Sequence, residues 1–218
     1  MNALKSVRLR MDFWRLKRAG KMAHYFTNDY VKSDEKKVEI VFKNKKYIMN
    51  TDNGVFSKRG LDFGTRTLLE NVPFEKLKGD ILDFGCGYGP ISIIVKDNSD
   101  TNVDGIDVNL RSLKLAKKNA LENKVNVNFF ESDIYKNVTK KYDFIITNPP
   151  IRVGKEILYK ILIEAKDHLK EDGEVYFVIN KDQGAKSLAK YLENYYLVEV
   201  IAKNKGFYII NLKIRKSN

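Results

Sequence analysis

Asp83-Phe84-Gly85-Cys86-Gly87-Tyr88-Gly89-Pro90 is the stretch that decides the fold. It closes the apolar run Ile81-Leu82-Asp83-Phe84 and leads into a helical pattern from Ile91 to Lys96, so a buried strand turns into a helix over three closely spaced glycines. Glycines at such a turn supply positive φ angles and let a ligand approach the backbone. Their G-x-G-x-G spacing differs from the dinucleotide fingerprint G-x-G-x-x-G, whose last position is Pro90 here, and no Gly-Lys-Ser/Thr follows to cradle a phosphate. The acid before the first glycine suits a cationic ligand better than a pyrophosphate. A tight turn with no ligand is the plain alternative.

Outward from this loop the chain alternates short apolar strands with amphipathic helices. Strands are expected at Val103–Val108, Val125–Phe130, Tyr142–Thr147 and Glu174–Ile179, with helices over Asn109–Asn123, 154–169 and 183–194. That rhythm builds βαβ units and a parallel sheet. The last two strands, 196–202 and 207–214, are joined only by Lys203-Asn204-Lys205-Gly206, too short for a crossover, so they pair antiparallel. The expected architecture is α/β: a seven-stranded, mostly parallel sheet with helices on both faces and the last strand antiparallel. Ahead of it, alternation from Val38 to Met49 around Lys43-Asn44-Lys45-Lys46 predicts a small β-hairpin, spanning about 37–50, and a helix follows over Leu61–Asn71.

The 218 residues suffice for one such domain, and 43% hydrophobic with 11% aromatic content predicts a folded chain. No apolar run is long enough to cross a membrane. One cysteine, Cys86, and two histidines, His24 and His168, leave no disulfide framework and argue against a metal site. A reducing cytoplasm fits this inventory. The net charge is +12, and residues 1–21 carry half of it, with seven Lys and Arg against the single acid Asp12. Met22-Ala23 reads as a natural start, so 1–21 is expected to be a basic leader outside the native fold, with a single domain over 22–218. The remaining positive surface favours a polyanionic partner such as RNA, although a solvated Lys-rich surface would look the same.

Three further features fall at the ends of successive strands, where open α/β sheets bind ligands. Asp107 stands 20 residues beyond Gly87, placed to accept from both hydroxyls of a ribose, or to stabilise the start of the following helix. Ser132-Asp133-Ile134 offers an acid for an adenine amino group beside an apolar residue that covers the ring. Asn148-Pro149-Pro150-Ile151 follows the Tyr142–Thr147 strand directly, and its two prolines end the strand in a rigid turn. The Asn148 side-chain oxygen and the Pro149 carbonyl could together accept the two hydrogens of an NH2 group and turn its lone pair towards an incoming methyl. Orientation would then supply most of the rate.

On these residues the chain resembles the class I S-adenosylmethionine-dependent methyltransferases, with their Rossmann-like sheet. Asp83–Gly89 is similar to their first motif, Asp107 to the ribose acid, Asp133 to the adenine position, and Asn148–Ile151 to the amino-methyltransferase signature. Val55-Phe56-Ser57, Asp62-Phe63-Gly64-Thr65 and Asn148 through Lys155 resemble the guanine-N2 methyltransferases of small-subunit (16S) ribosomal RNA. The resemblance runs from about Tyr25 to the C-terminus. It implies catalysis at Asn148, Pro149 and Pro150, and cofactor contacts from Asp83, Gly85, Cys86, Gly87, Gly89, Asp107, Val108, Asp133, Ile134 and Asn148. Substrate contacts would come from Phe56, Ile151, Arg152 and Lys155, the last two against a flanking phosphate or simply solvated. S-adenosyl-L-methionine, leaving as S-adenosyl-L-homocysteine, would be the cofactor, with no metal. Ribosomal RNA or a ribosomal subunit would be the partner, with no membrane.

Two departures qualify that likeness. Many relatives acting on adenine or glutamine carry an aromatic residue where Ile151 stands, and two-domain relatives carry an additional N-terminal copy for which this chain has no room. Adenine N6, a protein glutamine, or a non-catalytic RNA-binding role therefore stay open beside guanine N2, while hydride transfer leaves Asn-Pro-Pro without a purpose.

Overall fold

The computed structural model describes residues 33–53, 60–150 and 154–215. The expected leader over 1–21 and three expected substrate residues, Phe56, Ile151 and Arg152, lie outside them.

Among the described residues the chain opens on β1 (Lys36–Phe42) and β2 (Lys45–Thr51), paired antiparallel from Lys36↔Thr51 to Phe42↔Lys45. Lys43 and Asn44 form the two-residue turn at φ 46° and 62°, the sense that matches the twist of a hairpin. The turn is thus shorter than the Lys43–Lys46 stretch, with Lys45 and Lys46 already in β2. Helix α1 (Phe63–Asn71) follows, capped by Asp62, whose carboxylate accepts from Thr65 N at 3.0 Å.

The main sheet takes β3 (Gly79–Phe84), β4 (Thr101–Asp107), β5 (Asn128–Glu131), β6 (Tyr142–Thr147), β7 (Leu169–Asn180), β8 (Tyr196–Asn204) and β9 (Phe207–Ile214), in the spatial order β5-β4-β3-β6-β7-β9-β8. The strands from β5 to β7 are parallel, and β9 is inserted antiparallel between β7 and the edge strand β8. Four helices supply the crossovers and the cover: α2 (Pro90–Asn98), α3 (Leu110–Glu122), α4 (Lys155–Glu164) and α5 (Ala185–Leu192). β7 begins five residues earlier than its apolar core, because the chain leaves α4 through a single 3-10 turn, Ala165–His168, and Leu169 already pairs with Tyr142. Conversely, β5 is shorter than the apolar alternation from Val125, which packs from outside the strand.

Neighbouring residues of the central strands enter opposite cores. Ile81, Phe144, Ile146, Tyr176 and Val178 join α1, α2, α3 and the hairpin on one face, while Leu82, Phe84, Ile145, Val175 and Phe177 join α4 and α5 on the other. Burial on both faces explains why these strands read as continuous apolar runs. The sheet therefore has helices on both faces, as the sequence predicts.

Buried asparagines clamp the hairpin to this body. Asn119, on α3, accepts from Asn50 N at 2.6 Å and donates to Asn50 O at 3.0 Å and to Tyr88 O at 2.9 Å. One fully buried side chain thereby joins β2, α3 and the glycine loop.

Candidate active site

Gly85, Gly87 and Gly89 all adopt positive φ, at 71°, 55° and 92°. Gly89 has the strongest reason to lack a side chain. At that φ a Cβ would be strained, and it would also lie 3.1 Å from the Ala116 Cβ and 3.3 Å from the Phe129 ring. Around Gly87 the space is open, with nothing within 4 Å of where a Cβ would stand. Cys86 turns its buried side chain into the core, and its N–H donates to Ile106 O at 2.8 Å, so at this position the backbone, not the thiol, shapes the loop. Burial pushes that thiol well above its usual range.

Two carboxylates flank the loop. Asp83 is 1% exposed; its Oδ2 accepts from both the backbone N–H and the hydroxyl of Ser92, while Oδ1 is buried without a partner among the described residues. Desolvation pushes its pKa up to about 7, against the Ser92 bonds that favour the charge. A buried acceptor with an open lone pair is suited to a cationic group. Asp107 accepts from Gly87 N at 2.9 Å through Oδ2 and from Asn109 N at 2.8 Å through Oδ1. Burial raises its pKa against those backbone bonds. Each of its oxygens keeps a second lone pair, so holding the loop and accepting from a ribose are compatible roles. Val108 beside it is half-buried.

At the end of β5, Asp133 is exposed and Ile134 is half-buried. Ile134 stands at φ 55°, a strained conformation for a β-branched residue. Ser132 holds it there, donating to Ile134 O at 2.9 Å and accepting from Asn137 N at 3.1 Å. The strain aims a short loop at the same sheet end as the glycine turn.

The Asn-Pro corner sits directly beside the glycine loop. Thr147 donates to Phe84 O at 2.8 Å, and a methyl group placed on Gly85 would lie 3.7 Å from Cδ of Pro150. Pro149 is buried, and Asn148 and Pro150 are half-buried. Asn148 Nδ2 donates to Thr65 Oγ1 at 2.9 Å and points at Asp62 Oδ1 at 3.3 Å. Exchanging its nitrogen and oxygen would set two acceptor oxygens against each other at Asp62, so the neighbours fix the amide with its oxygen on the other limb. Asp62 and Thr65 were visible in sequence only as parts of a family-like tetrapeptide. Their grip on a residue more than 80 positions away is tertiary information. Lys155 is exposed at the start of α4, where it borders a groove of about 560 Å³ with Glu156 and Tyr159.

The sequence profile of the methyltransferase small domain family matches residues 46–211. The chain belongs to that family. This methyltransferase therefore uses S-adenosylmethionine. It is 41% identical over 196 residues to an uncharacterized protein of Bacillus subtilis (strain 168), YbxB, covering 87% of this chain and 98% of that one. It is 33% identical over 165 residues to the ribosomal RNA small subunit methyltransferase C of Haemophilus influenzae (strain ATCC 51907 / DSM 11121 / KW20 / Rd), covering 73% of this chain and 49% of that protein. The methyltransferase thus spans nearly all of the Bacillus protein and about half the length of the Haemophilus one. Among solved structures, the Thermus thermophilus 16S rRNA N2 G1207 methyltransferase superposes with a TM-score of 0.75 at 22% identity, over 83% of this chain and 51% of that one. A ribosomal protein L11 methylase from Lactobacillus delbrueckii subsp. bulgaricus superposes at 0.60 with 23% identity, over 71% of this chain and 79% of that one. The class I methyltransferase fold is therefore shared by enzymes named for RNA and for protein acceptors, so the acceptor has to be argued from the site. Among the described residues no helix is long and apolar enough to cross a membrane, and no cluster of His, Cys, Asp or Glu could hold a metal.

Proposed function

We propose that this methyltransferase transfers a methyl group to an exocyclic amino nitrogen of a base in RNA, guanine N2 of small-subunit ribosomal RNA. The observation that carries the reading is the fixed Asn148 amide beside the glycine loop. Its Nδ2 is engaged by Thr65 and Asp62, which leaves its oxygen to accept from a substrate NH2 group next to the turn that carries Asp83.

S-adenosylmethionine supplies an activated methyl on a sulfonium sulfur. Asp83, with its unpartnered oxygen, would hold the cationic end of the cofactor, Asp107 would accept from its ribose, and Asp133 with Ile134 would border its adenine. Asn148 Oδ1 and the Pro149 carbonyl accept the two amino hydrogens and turn the nitrogen lone pair out of conjugation with the ring. An exocyclic amine is barely basic, so no strong base is needed before attack. The extra proton becomes acidic once the new N–C bond exists, and these two oxygens are the first acceptors it meets. Preorganised acceptors of this kind act without reorganisation during the reaction. The target base has to leave its stack to reach the corner.

Support for RNA as the acceptor comes from the half of the +12 charge that lies beyond residues 1–21 and from relatives named for small-subunit ribosomal RNA. Support for guanine comes from the Thermus structure, which was solved with AdoMet and guanosine. The test uses total RNA from cells lacking the gene, incubated with purified protein and methyl-labelled cofactor, then digested to nucleosides. Label is expected in N2-methylguanosine; label in N6-methyladenosine, or only in protein, overturns the assignment. Asn148→Ala should lower turnover by about 100-fold or more, with calorimetric affinity for S-adenosylmethionine nearly intact. Undiminished turnover removes Asn148 from the chemistry.

A further inference from the structure

The β8–β9 turn folds over the end of β7 at the same sheet end as the Asn-Pro corner. Lys181 N donates to Gly206 O at 2.7 Å, and the Lys181 side chain passes 3.4 Å from where a Gly206 Cβ would be. Phe207, just past the turn, packs against the start of α1. Its ring lies 5.6 Å from that of Phe63, and a Cβ on Gly64 would come within 3.0 Å of it. The Lys205 ammonium stands 5.3 Å from the Phe63 ring centre, and that of Lys203 is 5.0 Å from the Tyr208 ring. Phe63 still leaves 36% of its surface in water. It also directly follows Asp62, the residue that touches Asn148.

Lysines stand at both ends of the sheet, and Lys78 and Lys141, just before β3 and β6, are in no ion pair among the described residues. At the end where the parallel strands begin, Lys140 and Lys170 are matched by Asp80, Asp104 and Asp143. At the catalytic end, Lys181, Lys203 and Lys205 form no ion pair with a carboxylate among the described residues. A lysine over a part-exposed aromatic ring, with two further lysines around the same turn, is a combination that can hold single-stranded nucleic acid, phosphates on the cations and a base on the ring.

We propose that the rim formed by Phe63, Lys181, Lys203 and Lys205 is the track for single-stranded RNA flanking the acceptor nucleotide. The inference rests on the RNA reading above and deepens it. A base next to the flipped one stacks on Phe63, and the adjoining phosphates lie along the β8–β9 turn. A duplex would present no free base to that ring.

The test is fluorescence anisotropy with a labelled single-stranded oligoribonucleotide of about 10 nucleotides carrying one guanosine. Lys181→Gln/Lys203→Gln/Lys205→Gln should weaken binding and flatten the logarithmic salt slope by about 2, from roughly 0.7 per lost phosphate contact on a single strand. A control with the same loss of charge elsewhere, Lys78→Gln/Lys114→Gln/Lys117→Gln, should keep the wild-type slope. Phe63→Leu should bind about 10-fold more weakly, with Phe63→Tyr near wild type. Intact calorimetric binding of S-adenosylmethionine certifies the fold of each variant. Equal effects of the two triple variants, or a wild-type slope in the first, overturn the rim while leaving RNA as substrate. A wild-type protein without salt-dependent affinity for the oligonucleotide overturns the rim and the RNA reading together.

Discussion

Thr65→Val removes one hydroxyl at nearly constant volume, and the structure says what that hydroxyl does. It accepts from Asn148 Nδ2 at 2.9 Å, the shorter of two bonds that orient the amide, the other running to Asp62 at 3.3 Å. Losing one neutral hydrogen bond costs about 1 kcal/mol, which corresponds to about a 5-fold fall in turnover if the bond serves the transition state. Adding Asp62→Asn keeps a good N-cap on α1, since Asn caps as well as Asp. It also removes the carboxylate that rejects the flipped amide, because an Asn side chain can face either orientation with a donor or an acceptor. The double variant should therefore lose the angular control itself, on the order of 100-fold in kcat, with the affinity for S-adenosylmethionine unchanged. Thr65→Ser, which retains the hydroxyl, should recover most of the rate. The assay is transfer of labelled methyl to RNA from cells lacking the gene, with cofactor affinity read by calorimetry. A double variant with wild-type kcat would mean that the amide is oriented by something other than Asp62 and Thr65, and the positioning argument would be wrong.

Asp83 titrates at about 7 against an ordinary 3.8, so the folded state holds a proton that the unfolded chain has lost between those values. Stability of the cofactor-free protein should then fall as pH rises from about 4 to about 7. Asp83→Asn should flatten that fall while removing the rise in cofactor affinity expected between about pH 6 and pH 8 as the carboxylate ionises; parallel pH profiles for variant and wild type would contradict both. Asn119→Ala strands the Asn50 and Tyr88 backbone groups in a dry interior and should cost about 3 kcal/mol. By thermal melting that is about 10 °C for a domain of this size, and an unchanged midpoint would show that the clamp is dispensable.

The central strands were legible because burial on both faces writes itself as uninterrupted apolar runs. Ile145-Ile146 and Val175 through Ile179 carry that signal without help from context. The antiparallel end was equally legible, since a turn as short as Lys205-Gly206 leaves the chain no other way back. The start of β7 was not, because there only Leu169 pairs, with Tyr142, and the register is irregular between it and Glu174. Composition says nothing about such a partner.

Sequence by itself determined the chemistry on offer: glycines that accept positive φ, acids at strand ends and an asparagine locked between a strand and two prolines. These depend on residue type and local spacing, which a one-dimensional string carries in full. Only the tertiary structure decided what that chemistry faces: that Asp83 keeps one oxygen unpartnered in the interior, and that Asp62 and Thr65 turn the Asn148 amide. It also decided that Lys205, from the β8–β9 turn, stands over the Phe63 ring, with Lys181 held against the same turn. Each of these is a meeting of residues far apart in the chain, and such meetings arise only when the hydrophobic faces of sheet and helices close on one another.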